Sequence, residues 1–128
     1  MGMMSPARVL VVEDDDYVRR FEIAVLKRLG YETVEAANAW QALFHLQQPF
    51  DLVILDLRMP YDDIQGSTLI DTMSKLGKEI PLIIFSGFVE DLNREELPSF
   101  VKAVLEKPIS LEEFSNTVSS ILEEKANI

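Results

Sequence analysis

Five short apolar runs, separated by amphipathic stretches, constrain the fold of this chain more than any other feature. Val9–Val12, Leu52–Leu55 and Leu82–Phe85 are unbroken and rich in Val, Ile and Leu. Such runs are typical of strands that are buried on both faces of a parallel sheet. Thr33–Ala36 is weaker and is interpreted as an edge strand, and Val101–Leu105 is the fifth predicted strand.

Helical patterns fall between and after these runs, so the sequence predicts five strands that alternate with five helices. Their markers are Val18, Phe21, Val25 and Leu29 before a C-capping Gly30; Asn38 with Gln41 at the start of Ala39–Gln47; Thr68 with Asp71 before an end near Gly77; a weak pattern over 90–97; and Ser110 with Glu113 before the apolar face Leu111, Phe114, Val118, Ile121 and Leu122. Such alternation implies right-handed βαβ units in a doubly wound α/β sheet.

Length and composition set the limits of this interpretation. A chain of 128 residues fits one domain, which we place at 7–124, with an N-terminal extension or cloning scar at 1–6 and a C-terminal tail or linker stub at 125–128. The absence of cysteine excludes disulfides, thiolate zinc sites and cysteine nucleophiles. A net charge of −10 argues against a nucleic-acid surface. The apolar runs are too short to cross a bilayer and no secretory signal is visible, so we expect a cytoplasmic protein without a membrane partner.

Polar residues follow four of the five predicted strands, at the sheet edge where open parallel sheets place their binding sites. They are Glu13-Asp14-Asp15-Asp16 after the first strand, Asp56 after the third, Ser86-Gly87 at the end of the fourth and Glu106-Lys107-Pro108 after the fifth. We expect these groups to converge if the first strand lies between the second and the third.

Together these residue types suit phosphoryl transfer. A carboxylate that directly follows an apolar strand, as Asp56 does, is partly desolvated and needs a partner. Clustered carboxylates also repel one another, and Mg²⁺, which prefers carboxylates, a carbonyl and water, relieves both problems. Lys107 supplies a positive charge suited to a phosphoryl oxygen, and Ser86 supplies a hydroxyl donor. Asp56 would then attack phosphorus and become an acyl phosphate.

Each piece also has a purely structural interpretation. Residues 13–16 can form a solvated acidic turn before a helix, and an aspartate that closes a strand can cap one. Surface lysines such as Lys107 are abundant, and Ser86-Gly87 is a common turn signal. The conjunction of these residues, in this order and at these strand ends, favours the phosphoryl-transfer site.

The sequence resembles the receiver domains of two-component response regulators over nearly its whole length. The matching segments are Val9–Asp15, Asp51–Pro60, Ile83–Gly87 and Leu105–Pro108, and their occurrence in this order makes the match specific. The resemblance implies a flavodoxin-like, three-layer α/β/α fold with strand order 2-1-3-4-5.

The resemblance also implies roles for individual residues. Asp56 is the expected phosphoacceptor. The expected site for Mg²⁺ or Mn²⁺ consists of Glu13, Asp14, Asp56 and the backbone carbonyl of Arg58. Asp14 is the expected direct ligand of the acidic pair, and Glu13 is expected to act mainly through a metal-bound water. Ser86 and Lys107 are the residues expected to contact the phosphoryl group, and Pro108 follows that lysine as it does in the family.

Partners and output follow from the same resemblance. The donor would be a phosphohistidine on a histidine kinase or phosphotransfer protein, and the output domain or target protein is absent from this chain. Phosphorylation would change a surface formed by the fourth predicted helix, the fifth strand and the fifth helix. A homodimer through the last helix is left open. The chain would catalyse only its own phosphorylation and dephosphorylation, so it is not expected to be an enzyme in the usual sense.

Three departures from the family pattern stand out. The loop 61–66 is about two residues longer than usual, and a harmless insertion of a kind that loops tolerate well is the favoured interpretation. The alternative is that Tyr61, Asp62 and Asp63 alter access to Asp56. Val104 occupies the position at which the family usually has a Tyr or Phe that rotates between a buried and an exposed state. Phe85, Phe88 or Phe100 would have to take over this rotation. Arg58 and Phe88 occupy the variable positions that flank the site, and their bulk is expected to hinder hydrolysis of the acyl phosphate.

Two other functions compete with the phosphorylated switch. One is a binding module of the same fold that works without phosphorylation, although the presence of every chemical residue disfavours it. The other is a metal-dependent phosphohydrolase, which would need an aspartate two places after its nucleophile, where Arg58 stands. No glycine-rich phosphate loop points to a nucleotide site.

Overall fold

A parallel sheet of five strands forms the centre of the molecule. The computed structural model describes residues 5–59, 65–87, 89–90 and 92–126. The strands run in the order β2-β1-β3-β4-β5, with all neighbours parallel, as the resemblance implied. They are β1 (Arg8–Val12), β2 (Glu32–Ala36), β3 (Leu52–Leu55), β4 (Leu82–Ser86) and β5 (Val101–Glu106), so all five strand predictions are confirmed to within one residue at each end.

Four α-helices are found in the described residues: α1 (Asp16–Arg28), α2 (Ala39–His45), α3 (Gly66–Lys75) and α4 (Leu111–Ala126). Gly30 follows α1 with a φ of +92°, a conformation that favours glycine at a helix C-terminus. The Asn38 side chain caps α2 through the Gln41 N–H at 2.8 Å, and the Ser110 hydroxyl accepts from the Glu113 N–H at 3.0 Å. These three helix signals are therefore confirmed.

The predicted helix over 90–97 is wrong, because its described part forms only a 3₁₀ turn, Arg94–Glu96. Pro98 disfavours the helical conformation in the residue before it, and Leu97 accordingly has an extended ψ of 139°. Leu92 and Leu97 each pack partly buried against the core at a spacing that one helix face does not provide. No fourth α-helix therefore precedes β5 in the described part of this connection.

Two smaller helix predictions also need correction. The third helix, α3, begins at Gly66, so Thr68 lies within its first turn instead of capping it. The reason is tertiary, since the Gly66 N–H donates to the Leu57 carbonyl at 3.0 Å and thereby brings the helix start next to β3. The second helix, α2, ends at His45 instead of Gln47, and the chain continues in turns towards β3.

Alternate side chains of the strands enter two hydrophobic layers. Leu10, Val12, Val53 and Leu55 belong to the layer beneath α2 and α3. Their sequence neighbours belong to the layer beneath α1 and α4, where Phe114 is fully buried. Because both faces of the sheet are covered, the open positions for a site lie at the strand ends.

Candidate functional site

The carboxyl ends of β1, β3 and β5 meet at one edge of the sheet and bring the acidic groups together there. The Asp56 N–H donates to the Val12 carbonyl and the Lys107 N–H donates to the Ser86 carbonyl, at 3.0 and 2.9 Å. These backbone bonds continue the strand pairing by one residue, so each side chain leaves the sheet from a fixed position. The structure thus brings together strand-end residues that were predicted to converge.

Glu13, Asp14 and Asp56 form a compact cluster, in which one carboxylate oxygen from each lies within 4.8 Å of the others. Glu13 is only 1% exposed and Asp56 is 8% exposed, whereas Asp14 is partly buried. Three carboxylates at this separation are a donor set that a hard divalent cation prefers. The chemistry and spacing of the three carboxylates therefore fit a Mg²⁺ ion.

The run of four acidic residues divides into two structural roles. Glu13 and Asp14 belong to the cluster, whereas the Asp15 carboxylate caps α1 by accepting from the Tyr17 and Val18 N–H groups at 2.9 and 3.1 Å. Asp16 lies in the first turn of α1, where a negative charge is favourable. Asp15 and Asp16 thus have the structural role of an acidic turn before a helix, whereas Glu13 and Asp14 do not.

Lys107 supplies the positive charge of the cluster. Its ammonium group hydrogen-bonds the Glu13 carboxylate and lies 3.4 Å from the Asp56 Oδ2. Burial lowers the pKa of Lys107, but the hydrogen bond and charge of Glu13, followed by the charge of Asp56, outweigh this and raise it. Lys107 is therefore held protonated between two carboxylates.

The acidic cluster also shifts the pKa of its most buried member. Burial, together with the nearby charge of Asp56, raises the pKa of Glu13 to about 7, although the hydrogen bond from Lys107 opposes the shift. A proton and a metal ion therefore compete for Glu13 near neutral pH.

The backbone around Asp56 is tightly packed. The Arg58 N–H lies 3.3 Å from the Asp56 Oδ1, and the Gln65 side chain bonds both the N–H and the carbonyl of Met59, at 3.1 and 3.2 Å. A Cβ atom at Gly66 would lie 2.6 Å from the Asp56 carbonyl oxygen. The start of α3 and the end of β3 therefore approach so closely that only glycine fits at position 66.

The other predicted site residues are placed as follows. Ser86 ends β4 and is fully buried, and Pro108 is exposed and follows Lys107 through a cis peptide bond. Val104 is partly buried against the α2–α3 layer. Arg58 is exposed and lines an open cleft of roughly 600 Å³ beside Asp56, together with Leu57, Gln65, Ser67, Gly87, Glu90 and Leu92.

The aromatic residues that were considered as replacements for the switch aromatic can be partly traced. Phe85 and Phe100 are both buried, and the Phe85 ring lies 5.4 Å from the Phe114 ring. Phe88 and residues 61–64 of the longer loop lie outside the described residues, so their predicted effects on access to Asp56 stay predictions.

Two residues next to the site were missed by the sequence analysis. Glu22 on α1 is 2% exposed, and its Oε2 has no hydrogen-bond partner among the residues that the structure describes. Its sequence signal was available, because it interrupts the apolar stripe of Val18, Val25 and Leu29 at helical spacing. Arg19, which hydrogen-bonds the Glu13 carbonyl at 2.8 Å, gave no comparable signal.

The family of the chain follows from its sequence. Residues 9–119 match the family described as the response regulator receiver domain. The chain belongs to this family. It is a receiver domain of two-component signalling systems. Receiver domains bind Mg²⁺ at an acidic pocket, which agrees with the Glu13, Asp14 and Asp56 cluster.

Known proteins illustrate the range of this family. The sensor kinase CckA of Brucella abortus is 36% identical over 127 residues, which cover 96% of this chain and 13% of the kinase. The receiver protein CpdR of the same organism is 29% identical, and the match covers 90% of this chain and 96% of CpdR. The structure of TrrA from Thermotoga maritima, in complex with Mg²⁺-BeF, has a TM-score of 0.75 at 28% identity and covers 90% of this chain and 98% of TrrA.

Many relatives of this receiver domain are much longer proteins. The chain spans between 12% and 39% of the lengths of four curated relatives, three of them sensor kinases or sensor proteins and one a transcriptional regulator. No helix in the described ranges is both long and apolar enough to span a membrane.

Proposed function

We propose that this receiver domain takes a phosphoryl group onto Asp56 from a phosphohistidine on a histidine kinase or phosphotransfer protein. The observation that carries the proposal is the position of Asp56, which is 8% exposed, within reach of Lys107 and grouped with two further carboxylates. The presence of relatives among sensor kinases and response regulators supports this class of partner.

In the proposed reaction, an Asp56 carboxylate oxygen attacks phosphorus. The P–N bond of the donor breaks, and its electron pair returns to the histidine nitrogen, while a P–O bond forms at Asp56. Mg²⁺ or Mn²⁺ would be held by Glu13, Asp14, Asp56 and the Arg58 carbonyl and would neutralise phosphoryl charge. The complex of the related TrrA with Mg²⁺-BeF supports such a metal.

Lys107 and Ser86 would bind the phosphoryl oxygens. Lys107 is already held protonated beside Asp56, so its charge is available where negative charge is added. Ser86 ends the neighbouring strand and would supply a hydroxyl donor. Hydrolysis of the acyl phosphate would later release Asp56, and this self-limited chemistry would be the only catalysis by the chain.

The proposed output differs from the sequence expectation in one respect. Because a 3₁₀ turn replaces the expected fourth helix, the changing surface would consist of the segment 92–97, β5 and α4. Pro108 and Val104 would couple the site to this surface. Its target would be an output domain or a separate protein, in the cytoplasm, without contact to nucleic acid or membrane. A homodimer through α4 remains a second use of the same surface.

Intact-mass measurement tests the proposal. The wild type is incubated with Mg²⁺ and acetyl phosphate, in parallel with Asp56→Asn and with Asp71→Asn, a matched control at an exposed aspartate on α3. The expected result is one added phosphoryl group in the wild type and the control but none in Asp56→Asn. The absence of any adduct in all three would favour a phosphorylation-independent binding module. Sustained release of phosphate at enzymatic rates would favour a phosphohydrolase.

A further inference from the structure

The Arg19 side chain makes three hydrogen bonds next to the proposed metal site. Its Nη1 donates to the Glu13 carbonyl at 2.8 Å, its Nε to the Glu35 carboxylate at 2.9 Å and its Nη2 to the Asp16 carboxylate at 2.6 Å. The side chain is only 12% exposed. Arg19 therefore joins the ends of β1 and β2 to the first turn of α1.

The bond to the Glu13 carbonyl has a specific geometric consequence. That carbonyl belongs to the peptide group that connects Glu13 to Asp14, so its orientation influences the direction of both side chains. On its other side, the Glu13 N–H donates to the Ala36 carbonyl at 3.0 Å. The backbone of Glu13 is thus held at both ends, once by the strand ladder and once by the guanidinium.

We propose that Arg19 is a positioning residue that holds the Glu13–Asp14 peptide, so that both carboxylates point at one divalent cation. Arg19 would not touch the metal or the phosphoryl group. It would act only through the backbone of Glu13 and Asp14. Groups that orient metal ligands in this way commonly contribute strongly to metal affinity. The inference rests on the proposed Mg²⁺ site at Glu13, Asp14 and Asp56.

Charge alone predicts the opposite effect of Arg19 on the metal. A positive side chain near a cation site repels the cation, so its removal should strengthen Mg²⁺ binding. Asp16 and Glu35 also surround the guanidinium with two negative charges, which reduces its field at the site. If Arg19 acts by position, its removal should instead weaken Mg²⁺ binding, and the sign of the change separates the two effects.

Isothermal titration with MgCl₂ measures this sign in the full chain. Arg19→Gln removes the guanidinium, and Arg20→Gln, at the adjacent exposed residue, removes the same charge without touching the site. We expect the Mg²⁺ dissociation constant to rise about tenfold or more in Arg19→Gln and to stay the same or fall slightly in Arg20→Gln. Arg19→Lys should give an intermediate value, because one ammonium cannot reproduce the three-way contact of a guanidinium.

The Mg²⁺ dependence of phosphorylation by acetyl phosphate provides a second readout. A contact that only stabilises the fold would not selectively change the Mg²⁺ concentration that this reaction needs. In Arg19→Gln, the Mg²⁺ concentration for half-maximal rate should rise, whereas the rate at saturating Mg²⁺ should stay close to that of the wild type. Circular dichroism establishes that the variant is folded. If Arg19→Gln does not fold, Arg19→Lys carries the test, with a several-fold rise in the dissociation constant expected.

The possible failures are distinguishable. A wild type that does not bind Mg²⁺ contradicts the proposed function itself. A wild type that binds Mg²⁺, together with a folded Arg19 variant that binds it equally well or more tightly, overturns the positioning role of Arg19 and leaves the proposed function intact.

Discussion

The buried carboxyl group of Glu22 should destabilise the protein in a pH-dependent way. Burial, reinforced by the charge of Glu13, raises the pKa of Glu22 well above its usual value, so the folded protein holds this proton to a higher pH than the unfolded chain does. Within the described part of the chain, its Oε2 also lacks a hydrogen-bond partner. Glu22→Gln removes the titration but keeps a polar group, and Glu22→Met removes both with a side chain of similar length.

The effect of Glu22 on the free energy of unfolding has two components, one from its ionisation and one from its unsatisfied polar group. Below about pH 4 the carboxyl is protonated in both the folded and the unfolded chain, so its ionisation does not affect stability. At higher pH the unfolded chain ionises while the folded protein holds its proton, so stability falls by about 1.4 kcal/mol per pH unit until the folded pKa is reached. Between pH 5 and pH 7 the wild type should therefore lose up to about 2.7 kcal/mol more than Glu22→Gln. Removal of an unsatisfied buried polar group adds about 1–3 kcal/mol in favour of Glu22→Met.

Urea unfolding at pH 5, 6, 7 and 8, followed by circular dichroism, measures both components. Glu79→Gln at an exposed glutamate controls for the loss of one negative charge. We expect the wild type and Glu22→Gln to diverge as pH rises, and Glu22→Met to be the most stable variant at pH 7. Parallel stability curves for the wild type and Glu22→Gln from pH 5 to 7 would refute the assignment of a retained proton to Glu22.

Three further predictions concern the site itself. Gly66→Ala should reduce stability by about 1–3 kcal/mol and slow phosphorylation, because its Cβ would lie 2.6 Å from the Asp56 carbonyl oxygen. Mg²⁺ should bind more weakly at pH 6 than at pH 8, by up to about tenfold per pH unit below 7, because the pKa of Glu13 is raised to about 7 and the metal must displace its proton. Arg58→Ala and Phe88→Ala should each speed loss of the phosphoryl group several-fold, because small side chains admit the hydrolytic water.

Each of these predictions has a direct check. Ser67→Ala, at the next and exposed position of α3, is the control for Gly66→Ala, and equal stability of the two would contradict the close-packing argument. Calorimetry of Mg²⁺ binding at several pH values should show proton release that disappears in Glu13→Gln. Decay of the phosphoprotein followed by mass spectrometry tests the flanking residues, and an unchanged half-life in both variants would remove the access hypothesis.

The strands could be predicted accurately because their signal is local. Runs such as Leu52–Leu55 are short and apolar at every position, which favours a strand that is buried on both faces of a parallel sheet. Helix ends with side-chain caps, such as those at Asn38 and Ser110, were predicted for the same reason, since the capping contact spans only three residues. The predicted fourth helix is wrong because the apolar pattern over 90–97 is weak and Pro98 disfavours a helical conformation at Leu97.

The sequence by itself determined the fold class, the order of the chemical residues and the edge of the sheet at which they meet. Only the tertiary structure decided how the acidic run divides between the cluster and the cap of α1, which depends on the direction of each side chain at the end of β1. The same holds for Arg19 and Glu22, whose environments are created by contacts between separate elements. Periodicity along a chain specifies which face of an element is buried, but contacts across elements arise only when the elements pack together.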